Sequence, residues 1–205
     1  MKSAIALVGA IIAALVLVVA AAIGWSVGRN AGVGSTPTVA VRTQSIPTHI
    51  YLTVATPAML NTDVGPAVLP SAVTVPANSD VTVTILNFDD ATPLTGPYVK
   101  YAEAFGIKGT FTAETIDRAN PNGPAVSQPQ ALSSVDPSIV SHTFTLPSLN
   151  INVPLLAASR TTFTFHTGAP GKYEWHCQDP CGTGPAGWSG AMSQQGYMGG
   201  ELTVA

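Results

Sequence analysis

The chain has 205 residues, of which only 9% are charged, with 19 glycines, 17 prolines and a net charge of −3. Eight basic residues that form no cluster exclude nucleic acid as a partner, because a phosphate backbone needs a basic face to bind. Sparse charge, frequent Gly and Pro, and Thr and Val at alternate positions argue against charged-surface helices and for an all-β domain of ordinary size plus an appendage.

Ala4 to Gly24 is an apolar run without a charged residue, followed by Trp25, a residue suited to the membrane interface. It is long enough to cross a bilayer, so residues 1–27 are expected to be one N-terminal transmembrane helix. A signal peptide cleaved near Ala20-Ala21-Ala22 is the alternative. Lys2 favours a cytoplasmic N-terminus, and either reading carries the remainder outside the cytoplasm: anchored at the cell membrane, or secreted if cleaved. Residues 28–46, small, polar and turn-prone, read as a flexible linker. The domain proper is expected over 47–205.

His49–Val54 is a plausible first strand and Ala72–Pro76 a short one. Asp80–Asn87 alternates Val81, Val83 and Ile85 with Thr82 and Thr84, the period of a strand with one buried face. Between about 89 and 140 six prolines break the pattern, and this stretch reads as a long insertion with a single expected hairpin over Tyr101–Glu114, turning at Gly106 to Gly109. In Ser141–Leu146, His142, Phe144 and Leu146 share the core face, with Thr143 and Thr145 opposite. In Arg160–Thr167, Phe163 and Phe165 face inward and His166 outward. Ala169-Pro170-Gly171 suggests a hairpin turn into Lys172–Cys177, whose inner face is Tyr173, Trp175 and Cys177 and whose outer face includes His176. These segments predict a sandwich or barrel of about seven or eight strands. His49 stands alone and reads as solvated or structural.

Parity thus turns His142 and Cys177 inward, and beyond Cys177 a loop carries Cys181, Met192, Gln195 and Met198. Imidazole, thiolate and thioether together are the donor set that selects copper. Zinc would want paired Cys or His ligands that are absent here, and no nucleophile elbow, P-loop or dinucleotide fingerprint appears.

Three features, namely Ser141-His142-Thr143-Phe144 on a strand, Tyr173-x-Trp175-x-Cys177 closing a later one, and Met198-x-Gly200-x-Leu202-x-Val204 at the end, resemble the cupredoxin family of blue-copper domains. Cys177-x-x-x-Cys181-Gly182 also resembles the two-cysteine loop of cytochrome c oxidase subunit II, which holds a binuclear copper centre. The likeness covers roughly residues 72–88 and 141–205. It implies a Greek-key β-sandwich or barrel, copper as cofactor, His142 as histidine ligand, Cys177 as thiolate, Cys181 as a further sulfur and Met198 as axial thioether. Both families place a second histidine three residues before the methionine, where this chain has Gln195; on the oxidase loop length it falls on Pro185. Substitutes would be Cys181, Gln195, Met192 or a rotated His176.

The function so implied is single-electron transfer with a respiratory redox partner, by an electron carrier rather than an enzyme, with no small-molecule substrate. Two alternatives stay open: a cell-surface β-sandwich in which Cys177 and Cys181 form a structural disulfide and no metal binds, and a copper(I) chaperone using Met192, Met198 and Cys177.

Overall fold

The computed structural model describes residues 48–180 and 190–205, all within a compact unit spanning Gln44–Ala205. The expected transmembrane helix at 1–27, the linker at 28–46 and Cys181 lie outside the described residues. Among the described residues no helix is long and apolar enough to cross a membrane.

Eleven strands are described: β1 His49–Ala55, β2 Ala67–Leu69, β3 Ala72–Val75, β4 Asp80–Asn87, β5 Phe111–Thr115, β6 Gln130–Leu132, β7 Val140–Leu146, β8 Ile151–Leu156, β9 Ser159–His166, β10 Gly171–His176 and β11 Gly199–Val204. They form two sheets, ordered β2-β1-β4-β9-β5-β6 and β3-β11-β10-β7-β8. Neighbours run antiparallel except β1 with β4 and β11 with β3, which are parallel. The expected all-β sandwich is present, with more strands than the seven or eight anticipated.

The core lies where alternation places it. Val81, Val83 and Ile85 of β4 are fully buried and pack with Phe163 and Phe165 of β9, the strand in register beside it. Each such side chain contributes about 1.5–3 kcal/mol through apolar burial. On the opposite face the threonines pair across the strands, Thr82 with Thr164 and Thr84 with Thr162, their hydroxyls 3.0 Å apart in each pair. Phe144 of β7 bridges the sheets, its ring 5.7 Å from Phe163 and 5.4 Å from Trp175, the last nearly stacked at 30°. Trp175 needs its cross-strand partner to be glycine. A Cβ on Gly200 would lie 2.0 Å from the Ser71 carbonyl and 2.4 Å from the indole.

Three expectations are corrected. β9 and β10 do not form a hairpin; they belong to different sheets, so the Ala169-Pro170-Gly171 turn carries the chain across the sandwich. Thr167 fixes that crossing, its hydroxyl accepting from the Ser79 amide and lying within hydrogen-bonding reach of the Pro76 and Ser79 carbonyls. The hairpin expected over Tyr101–Glu114 is also absent. Gly96–Ala102 is a 3-10 helix, Gly106 and Gly109 hold positive φ in the turn that follows, and β5 pairs with β6 and β9. Finally, Thr143 and Thr145 do not face water, because β7 is buried on both faces. Asn152 of β8, opposite Thr145, donates to the carbonyls of Tyr101 and Glu103 and accepts from the Thr145 hydroxyl, so part of the insertion roofs this side. Alternation identifies the two faces of a strand but not what an irregular segment lays over the second one.

Candidate metal centre

β7 supplies His142 just past an irregularity in its pairing with β8: Val140 pairs with Leu156 and His142 with Leu155, leaving Ser141 as the extra residue. A bulge of this kind bends its strand and re-aims the following side chain. His142 is 1% exposed. The residue immediately after β10, Cys177, is likewise 1% exposed and belongs to the main core cluster. The two meet: Nδ1 of His142 lies 3.9 Å from Sγ of Cys177. Strand parity anticipated both orientations, and His166 is exposed, as parity also predicts.

The sulfur is held by the main chain around it. The Thr143 amide donates to Sγ at 3.2 Å and the Cys177 amide donates to the Met198 carbonyl at 2.8 Å. Gln178 N donates to the Thr143 hydroxyl at 2.7 Å, tying the start of the loop after β10 back to β7. Amide donors to a thiolate sulfur stabilise its charge and tune any metal that it binds.

The other nitrogen of His142 contacts a residue that no pattern in the sequence singles out. Nε2 lies 3.0 Å from Oδ2 of Asp89, in the segment following β4. Burial alone would push the histidine pKa down, but the hydrogen bond to Asp89, the contact with Cys177 and the charges of both outweigh it and raise the value to about 9. Burial would likewise raise Asp89, yet its hydrogen bond to His142 and the charge of that ring hold the carboxyl below its usual range. In the sequence Asp89 is only an acidic residue two positions past the clearest strand, a position that identifies no partner.

Of the remaining candidates, Met198 is fully buried and Met192 is 2% exposed, both in the core cluster that holds Cys177. His176 is half-buried and contacts the Gln178 side chain. Gln195 is exposed. His176, Met192 and Gln195 line one cleft of about 260 Å³ together with Trp175 and Gly200. Cys181 lies outside the described residues. Among the described residues no three His, Cys, Asp or Glu side chains converge as a metal-binding group.

The pair is spaced for a single ion. Bonds from zinc, a representative first-row metal, are about 2.0–2.1 Å to imidazole nitrogen and about 2.3 Å to thiolate sulfur. The observed 3.9 Å separation is shorter than their sum, so one ion can reach both atoms without moving either. The donors, one imidazole and one thiolate amid buried thioethers, are those copper favours.

No protein-family model matches the chain, and no curated protein matches it. Among solved structures it is similar to dithionite-reduced auracyanin from the photosynthetic bacterium Roseiflexus castenholzii, at 18% identity and a TM-score of 0.35 over 78% of this chain and 99% of that one. Auracyanin B gives 15% identity and a TM-score of 0.35 over 80% and 92%. A chain of a heme-copper terminal oxidase dimer gives 11% identity and a TM-score of 0.37 over 96% and 97%. Likenesses at these scores add nothing to the case for the site, which rests on its own geometry.

Proposed function

We propose that this chain is a cupredoxin-like copper protein that carries single electrons outside the cytoplasm, with residues 1–27 as its membrane anchor and a respiratory redox protein as its partner. The supporting observation is the buried approach of His142 Nδ1 to Cys177 Sγ at 3.9 Å, with amide support to the sulfur. In this reading His142 and Cys177 hold the metal, Met198 supplies the thioether, and Cys181, Met192, Gln195 or His176 completes the set. Copper, when bound, supplies a one-electron couple. The protein's part is to keep the donors fixed and dry. His142 and Cys177 are each 1% exposed, and donors fixed by β7 and by the main chain at the end of β10 would keep the reorganisation on electron transfer small.

One observation favours a second reading: His142 already has a carboxylate partner in Asp89, and among the described residues no larger group of ligands converges. There the pair is a satisfied core interaction, and Cys177 with Cys181 forms a structural disulfide in a metal-free surface sandwich. A copper(I) chaperone is a third, supported by the burial of Met192 and Met198 in one cluster with Cys177.

Copper(II) added to the full chain, followed by desalting, separates these. Retained copper with a thiolate charge-transfer band that Cys177→Ser abolishes supports the electron carrier. A colourless, metal-free protein whose two cysteines resist thiol reagents under every non-reducing condition supports the disulfide. Retention of copper(I) alone, with no coloured oxidised form, supports the chaperone.

A further inference from the structure

We infer that Asp89 is the positioning residue of the copper site, fixing the His142 ring and holding the reduction potential down. The inference rests on the copper reading above.

The side chain of Asp89 is placed by an arrangement that acts on its backbone. Asn87, fully buried at the end of β4, accepts from the Asp89 amide at 3.0 Å through Oδ1 and donates through Nδ2 to the Leu156 carbonyl at 2.7 Å. The Asp89 carbonyl accepts from the Ala158 amide at 3.2 Å and from Nη2 of Arg118 at 3.0 Å. The same guanidinium pairs with the Asp90 carboxylate at 2.6 Å. Three residues further on, the Thr92 amide donates to the Val140 carbonyl at 2.8 Å, binding this segment to the start of the strand that carries His142. The carboxylate is therefore aimed from a backbone fixed on several sides, and part of the proline-rich insertion, through Arg118, helps to fix it.

The geometry assigns the two ring nitrogens different tasks. Nε2 faces Oδ2 of Asp89 at 3.0 Å, so Nδ1 is the ring nitrogen that faces Cys177. The hydrogen bond partner of one nitrogen decides which nitrogen is free to ligate, and a carboxylate partner also makes the imidazole a stronger donor. The ring stands between a carboxylate and a sulfur, so a cation bound on the sulfur side would meet an imidazole backed by a negative charge. A negative charge behind the ligand favours copper(II) over copper(I), whereas a neutral acceptor in its place would not.

Asp89→Asn, close to isosteric, tests this in the copper-loaded full chain. The variant is expected to keep its copper and its charge-transfer band while the ratio of copper(II) to copper(I) affinity falls at least tenfold, a rise of about 59 mV in a one-electron potential. An unchanged potential in a variant that retains copper and colour overturns the inference and leaves the copper reading intact; unmodified protein that binds no copper overturns both. Should Asp89→Asn not fold, the copper(I) form of the unmodified protein decides. Its proton–nitrogen NMR spectrum should show the His142 Nε2 proton far downfield and protected from solvent exchange, and a rapidly exchanging or absent proton overturns the assignment.

Discussion

The backbone amide of Cys177 donates to the carbonyl of Met198 across 2.8 Å, so the candidate thiolate and the candidate thioether are joined through the main chain before any metal is considered. This bond extends the β10–β11 ladder, in which His176 pairs with Gly199, by one step beyond the end of β10. Met198 is fully buried, which fits either a ligand or a core residue.

Met198→Leu separates those roles. Met to Leu conserves volume, so the cost to stability should stay below about 1.5 kcal/mol. Thermal unfolding of the metal-free variant should be nearly unchanged while the visible spectrum and potential of the copper form shift. A copper spectrum and potential identical to the unmodified protein would make Met198 core filling only.

Gly200→Ala should be strongly destabilising, because the position is buried against Trp175. The added methyl would meet a backbone carbonyl at 2.0 Å and the Trp175 ring at 2.4 Å, and neither can retreat without moving β3 or the core. We expect a loss of about 3 kcal/mol or more, at the upper end of overpacking costs, with a changed near-ultraviolet signal from the tryptophan. Chemical denaturation measures the first and circular dichroism the second.

Asn152→Ala removes the side chain that joins Thr145 to the carbonyls of Tyr101 and Glu103. Leaving buried polar partners unmet costs about 1–3 kcal/mol, and the segment roofing β7 keeps only its backbone bonds, among them the pair between Phe105 and Asn152. Limited proteolysis should then cut near Tyr101–Phe105 at protease levels that leave the unmodified protein whole. An unaltered cleavage pattern would show that other contacts hold the segment.

Asp80 sets a pH dependence of known sign. Its carboxylate hydrogen bonds to Lys108 and to His166, and the Lys108 contact foremost holds its pKa below the usual 3.8. A carboxyl that is more acidic in the folded state contributes stability above its unfolded pKa and loses that contribution as pH falls through the folded value. Asp80→Asn should therefore be less stable than the unmodified protein at neutral pH, by the small amount typical of an exposed pair, and the difference should shrink as pH falls below 3.8 through the lower folded value. Denaturation midpoints between pH 2 and 7 would show it, and a gap persisting at pH 2 would contradict it.

Residue periodicity was sufficient where a strand had one buried face. Val81, Val83, Ile85, Phe163, Phe165 and Trp175 all lie inside. Parity also turns His142 and Cys177 inward, while their 3.9 Å approach depends on the sheet order and on the irregularity at Ser141. Periodicity failed where contacts are made by segments without a repeat. Asp89 reaches His142 from 53 residues away in sequence, and no local pattern marks such a partner. The same holds for Asn152, which fastens the insertion through contacts about 50 residues away in sequence. The crossing between β9 and β10 has no signature of its own, because a Gly/Pro turn has the same composition whether the chain folds back beside itself or passes to the other sheet. Turn chemistry specifies local dihedrals, while the choice of sheet is made by the core.

The enclosure of β7 on both faces has a consequence in time as well as in energy. A strand with no solvent face has no low-energy way to open by itself, so its amides, His142 among them, should exchange with solvent only when the whole sandwich unfolds. His142 is thereby held by one of the slowest-opening parts of the chain.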